Sequence, residues 1–149
     1  MDGMKTVLFL CTGNYYRSRF AEEVFNFYAN KNDLDWRADS AGLKVAETRD
    51  ENPGTMSIWA LDELLRIGIY PTEYLREPKD VDESNFRSSD KKIAISLSEH
   101  KSMMETKFPE FLSETTFWEV EDIELELPAV ALEKLVKQVK SLIDQLEDS

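Results

Sequence analysis

The sequence predicts an α/β protein: a three-layer, doubly wound, four-stranded parallel sheet with helices on both faces. Three observations predict it. Thr6-Val7-Leu8-Phe9-Leu10 is an unbroken apolar run, the pattern of a strand buried on both sides. Short apolar runs alternate along the chain with segments whose apolar residues recur every three or four positions. Such alternation implies parallel strands joined by right-handed crossovers.

The elements follow in order. After the first strand, Cys11 to Asn14 reads as a turn containing Gly13. Arg17 to Lys31 reads as a helix, because Phe20, Val24, Phe27 and Tyr28 share a face. Leu34 to Asp39 reads as a second strand, ended by Ser40-Ala41-Gly42. Asn52-Pro53 has the form of a helix start, with Asn as cap and Pro in the first turn. That helix carries Met56, Ile58, Trp59, Leu61, Leu64 and Leu65 and stops near Gly68. Tyr70 to Ser89 is polar, holds Pro71 and Pro78, and reads as a long loop with room for one short helix. Ile93 to Leu97 is the third strand and Glu99 to Phe108 a helix ended by Pro109. Phe117 to Val120 is a short fourth strand. Pro128 to Leu146 is the clearest helix, with Leu132, Leu135, Val139 and Leu142 on its apolar face.

Length and composition bound the function. The 149 residues, read as one domain over 1–149, are enough for a real core, and 42% hydrophobic with 32% charged is ordinary globular composition. The longest apolar run, Val7 to Cys11, is too short to span a bilayer, and no apolar stretch of signal-peptide length follows Lys5. The expected location is cytoplasmic, with no membrane partner. A net charge of −12 repels phosphate backbones, so no nucleic-acid partner is expected. One cysteine rules out an internal disulfide and a cysteine-based zinc site. No metal or other cofactor is expected, and the sequence is silent on oligomeric state.

A lone cysteine is more often a small buried hydrophobe than a nucleophile, but its neighbours alter that reading. The segment Cys11-Thr12-Gly13-Asn14-Tyr15-Tyr16-Arg17-Ser18 lies where a strand delivers Cys11 and a helix opens near Arg17. In such folds ligands bind beyond the carboxyl ends of the strands. A strand–turn–helix aims successive backbone N–H groups at a tetrahedral oxyanion. Gly13 permits close approach or a positive φ, and Asn14 suits left-handed geometry and can brace the loop. A cysteine at a helix N-terminus beside an arginine falls from about 8.5 to roughly 3.5–7.5 and becomes a nucleophilic thiolate. Arg17 offers a planar fork to two phosphate oxygens. Ser18 can donate a hydrogen bond to the sulfur.

Cys-x5-Arg-Ser at the end of the first strand, with Gly13 and Asn14 inside, resembles the low-molecular-weight protein tyrosine phosphatases. Asp39-Ser40-Ala41-Gly42, the Pro53 to Gly68 helix, the length and the element order are also similar, so the likeness covers most of the chain. It implies a flavodoxin-like (Rossmann-like) fold with strand order 2-1-3-4. It implies hydrolysis of phosphate monoesters, with phosphotyrosine expected, through a phosphocysteine on Cys11. Thr12, Gly13, Asn14, Tyr15, Tyr16, Arg17 and Ser18 would bind the phosphate, with Asn14, Ser18 and Ser40 supporting the loop. The family's general acid falls on Asp122 in Val120-Glu121-Asp122-Ile123. The family's usual Pro is Ile123 here, no aromatic follows, and Glu121 and Glu124 stand beside Asp122 as alternatives. The partner would be a phosphorylated protein or a small aryl phosphate.

Other departures carry expectations. Tyr16 stands where many members have a second cysteine, so peroxide is expected to oxidise Cys11 irreversibly unless an outside thiol caps it. A small Thr at the position of Tyr15 is associated with phosphoarginine, so Tyr15 argues against that substrate. No aromatic lies in Leu43 to Asp50, where the family has another wall. Arsenate reductases share the fold but relay electrons through further cysteines, which are absent here. A phosphate- or phosphoprotein-binding module without efficient turnover is the other alternative. His100 reads as a surface residue, Trp36, Trp59 and Trp118 as packing residues, Met103-Met104 as core, and Tyr16 as packing.

Overall fold

The computed structural model describes residues 3–71 and 76–148. Four parallel strands lie in the order β2-β1-β3-β4, as predicted. They are β1 (Lys5–Cys11), β2 (Trp36–Gly42), β3 (Lys91–Ala94) and β4 (Thr115–Phe117). The helices are α1 (Arg17–Lys31), α2 (Val45–Thr48), α3 (Ile58–Arg66), α4 (Glu83–Ser88), α5 (Leu97–Lys107) and α6 (Pro128–Glu147). The expected bounds of α1 are met, and those of α6 nearly so.

The unbroken apolar run of β1 has a simple cause. Val7, Phe9 and Cys11 face a core shared with Phe20, Val24, Ala60, Leu64, Leu135 and Val139 from α1, α3 and α6. Leu8 and Leu10 face the opposite core, with Phe86, Met104 and Phe111. Alternate side chains of one strand feed two cores, and each fully buried one stabilises by roughly 1.5–3 kcal/mol.

Several boundaries differ from expectation. The helix expected from Asn52 begins at Ile58, because Gly54 adopts a positive φ of 84° and Ser57 accepts the Trp59 N–H at 3.2 Å as the true cap. Trp59 then falls on the outer side of the first turn and is 53% exposed, not packed. The second strand runs on to Gly42, its amides and carbonyls paired with β1 as far as Cys11. β3 stops at Ala94, because Ser96, fully buried, serves as the cap of α5 and accepts the Glu99 N–H. Phe117 to Val120 is only partly β4. Pairing continues irregularly beyond it, with Trp118 N–H donating to Ala94 and Val120 N–H to Ile95. Of the expected Tyr70 to Ser89 loop, residues 72–75 lie outside the described residues. Its short helix is α4, with a capping box between Asp82 and Asn85.

Candidate active site

The carboxyl ends of β1 and β3 lie side by side, and the site is built between them. Cys11 ends β1, and α1 begins at Arg17. The intervening turn is held by a buried lattice. Asn14 has φ 50°, the left-handed conformation. Its amide donates to Ser18 Oγ and Ser40 Oγ, both at 2.9 Å. Arg76 donates to Asn14 Oδ1 at 3.1 Å, and the Lys79 N–H reaches the same atom. Ser40 donates to Glu22, which also pairs with Arg76 at 3.2 Å. Burial pushes the Glu22 carboxyl upward, against the pull of Ser40 and Arg76.

Two glycines let the turn sit where it does. A Cβ on Gly42 would come within 2.7 Å of the Thr12 carbonyl oxygen and 3.0 Å of the Asn14 nitrogen. A Cβ on Gly13 would meet the Asn52 amide at 2.5 Å. Gly13 therefore serves close approach.

The turn surrounds a cavity of about 70 Å³, lined by Cys11, Thr12, Gly13, Tyr15, Tyr16, Arg17, Asn52 and Asp122 among others. Behind it, Cys11 Sγ lies 2.9 Å from Ser18 Oγ. Arg17 is 2% exposed. It donates to Glu99 at 2.9 Å and to the Val120 carbonyl at 3.1 Å, and Asp122 lies 3.6 Å away. Its Nε is buried without a partner among the described residues, a donor suited to an anion in the cavity. Burial opposes the Arg17 charge, and Glu99, Cys11 and Asp122 outweigh it.

Asn14, Ser18 and Ser40 sit behind the cavity wall, fully buried. Thr12 turns its hydroxyl to Glu99. Tyr16 is 7% exposed, and its hydroxyl, pushed up to about 12 by burial and then by Asp122, stays protonated. Tyr15 donates to the Pro53 carbonyl. Glu121 is turned away, accepting from Ser96 and Ser98. Glu124 lines a neighbouring groove together with Asp122 and Ile123.

The sequence reading missed Glu99, His100 and Arg76. His100 is fully buried, not a surface residue. Its Nδ1 accepts the Ser96 N–H at 3.0 Å, leaving Nε2–H to face Thr12 Oγ1 at 3.1 Å and Glu99. Burial lowers its pKa, so the ring is held neutral. For Glu99 burial is outweighed by hydrogen bonds from His100, Arg17 and Thr12, which hold the carboxyl far below its usual range. Two signals existed. Ser96-x-x-Glu99 is a capping-box pattern that places a helix start at the end of β3. His100 precedes Met104 by one turn, so the face that buries one buries the other.

Among the described residues no cluster of acidic, His or Cys side chains is arranged to hold a metal, and no helix is long and apolar enough to cross a membrane. Solved structures share this architecture. The low molecular weight protein tyrosine phosphatase from T. tengcongensis is 28% identical, with 97% of this chain and 98% of that one covered at a TM-score of 0.74. Wzb of Vibrio vulnificus, solved with benzylphosphonate, matches at 13% identity, 96% and 99% coverage, and TM-score 0.80. The YwlE arginine phosphatase from Geobacillus stearothermophilus matches at 23%, 97% and 94%, and 0.75. The last two show the fold alone. No curated protein sequence matches the chain. Residues 6–147 match the family model described as low molecular weight phosphotyrosine protein phosphatase, and the chain belongs to that family of cysteine-dependent phosphatases.

Proposed function

We propose that residues 1–149 act as one cytoplasmic phosphatase domain that hydrolyses phosphate monoesters, with phosphotyrosine as the substrate class. The observation that carries this is the shared cavity: Cys11, Arg17 and Asp122 line one space that the turn wraps. The phosphate sits among the turn's N–H groups with Arg17 against its oxygens. The Cys11 thiolate attacks phosphorus in line. The bond to the leaving oxygen breaks as Asp122 gives that oxygen a proton. Ser18 donates to the sulfur and steadies its charge. Water, losing its proton to Asp122, then attacks the phosphocysteine, the S–P bond breaks, and inorganic phosphate leaves. Arg17 and the amides stabilise the charge in both transition states.

Asp122 is favoured over its neighbours by position. Glu121 is held by two serine hydroxyls, and Glu124 lines the adjoining groove without lining the cavity. Tyr15, fixed to the Pro53 carbonyl, adds an aromatic wall that favours an aryl leaving group over phosphoarginine.

Hydrolysis of p-nitrophenyl phosphate by wild type and Cys11→Ser tests the reading. The variant is expected to lose nearly all turnover. Equal rates would end the proposal.

A further inference from the structure

We infer that the acidic lining of the groove beside the anion cavity, where the organic part of the substrate would lie, selects phosphotyrosine peptides with a basic residue next to the phosphorylated ring. The inference rests on the phosphatase reading of Cys11.

The groove has a volume of about 280 Å³ and is continuous with the cavity through Tyr15, Tyr16, Glu51, Asn52 and Asp122. That is near the lower end of ligand pockets, roughly 300–1,000 Å³, and suits a ring plus a neighbouring side chain. One wall is Ile58 and Trp59, which are 58% and 53% exposed. They stand there because the Ser57 cap starts α3 at that point while Ala60 and Leu64 take the core face. Ile123, 38% exposed, also lines the groove, and its N–H donates to the Asp122 carboxylate at 2.9 Å.

Several large apolar side chains left in solvent around one groove mark a binding surface more than an ordinary exterior. Tryptophan and tyrosine give large contact area with little entropy lost. The charged residues among those lining the groove are Glu51, Asp122 and Glu124, all acidic. The chain as a whole carries −12. Lysine or arginine beside the phosphotyrosine is therefore attracted, and arginine can also lie over the Trp59 ring. An acidic neighbour is repelled. The apolar walls that the sequence lacks in Leu43 to Asp50 are thus supplied from α3 and from the segment after Asp122.

The test compares three substrates: p-nitrophenyl phosphate, a phosphotyrosine peptide with lysines flanking the ring, and the same peptide with glutamates. For wild type at low salt, kcat/KM for the lysine peptide should exceed that for the glutamate peptide about tenfold, and the gap should shrink as salt rises. A Glu51→Gln, Glu124→Gln double variant should bring the two peptides within about threefold of each other. Trp59→Ala, at an exposed position that does not threaten folding, should raise KM for both peptides by several-fold more than it raises KM for p-nitrophenyl phosphate. Equal wild-type rates on the two peptides, no turnover of either, or a uniform effect of Trp59→Ala on all three substrates would overturn the inference. Loss of Cys11 dependence on p-nitrophenyl phosphate would instead overturn the phosphatase reading beneath it.

Discussion

The Cys11–Ser18 turn and the Glu119–Glu126 segment bring charge to the same cavity by opposite means. In the turn, Asn14, Ser18 and Arg17 are at most 2% exposed, and each is held by other buried groups. In the acidic segment the Asp122 side chain is 42% exposed. It stands on a turn whose Asp122 carbonyl accepts the N–H groups of Leu125 and Glu126. An exposed pair of Glu126 with Lys134 adds little. The turn is rigid because its polar groups have nowhere else to bond. The acidic segment is positioned loosely, as a group that must swing a proton between substrate and water requires. Substitutions in the turn should therefore cost stability and activity together, and those in the segment activity alone.

Apart from removal of the Cys11 nucleophile itself, the largest effect expected is on the loose side. Asp122→Asn should lower kcat on an aryl phosphate by about 10²–10⁴, most for poor leaving groups that need the proton. Its thermal midpoint should barely move, since exposed substitutions stay within about 0.5 kcal/mol. A larger loss from Glu121→Gln or Glu124→Gln would break the comparison by moving the acid elsewhere.

On the rigid side, Arg76→Ala removes the partner of Glu22 and a donor to Asn14 and Ser40. Stranding one member of a buried pair costs about 3–5 kcal/mol. Burial already pushes the Glu22 carboxyl upward, so it relieves the strain by taking a proton. The deficit, read by urea unfolding, should therefore narrow as pH falls. A deficit independent of pH would show that Glu22 is not the stranded group.

Asn14 separates backbone from side chain. Asn14→Gly keeps the positive φ but takes the amide donor from Ser18 and one of two donors from Ser40, which keeps Arg76, a loss of about 1–3 kcal/mol. Asn14→Ala loses the same bonds and adds roughly 1–2 kcal/mol of left-handed strain. Equal stability of the two variants would mean the turn relaxes, contrary to the rigidity argued for it.

What the sequence made legible divides along the same line. The strand, the turn and α1 are contiguous, so an apolar run followed by Cys11, Gly13, Asn14 and Arg17 carries its own geometry. The start of α3 was misread because Asn52-Pro53 is a good local cap, yet Gly54 turns the chain before a helix can form. Asn52 is thereby freed to lie beside Gly13. Local pattern could place Glu99 at a helix start and His100 on a buried face, but not at the site, since their partners Arg17 and Thr12 lie more than eighty residues away. Only the topology that sets β3 beside β1 brings them together.

The smallest expected effect probes that long-range contact through pH. His100 is held neutral, its Nδ1 facing the Ser96 N–H, while Arg17, Glu99 and Asp122 act on the ring. Below about pH 6.5 the unfolded histidine takes up a proton that the native ring refuses. The unfolded state then binds more protons, so stability falls as pH drops from about 6.5 towards the native pKa, by at most about 1.4 kcal/mol per pH unit. Glu99, depressed by its partners, loses its contribution only below the ordinary carboxylate range. Glu22, raised by burial, acts in the opposite sense. Subtracting His100→Gln, which keeps a donor for Thr12 but cannot titrate, isolates the histidine from both. Wild type should lose stability relative to that variant between pH 7 and pH 5. Parallel curves would mean that the buried ring takes its proton in the folded state, against an N–H already pointing at its free nitrogen.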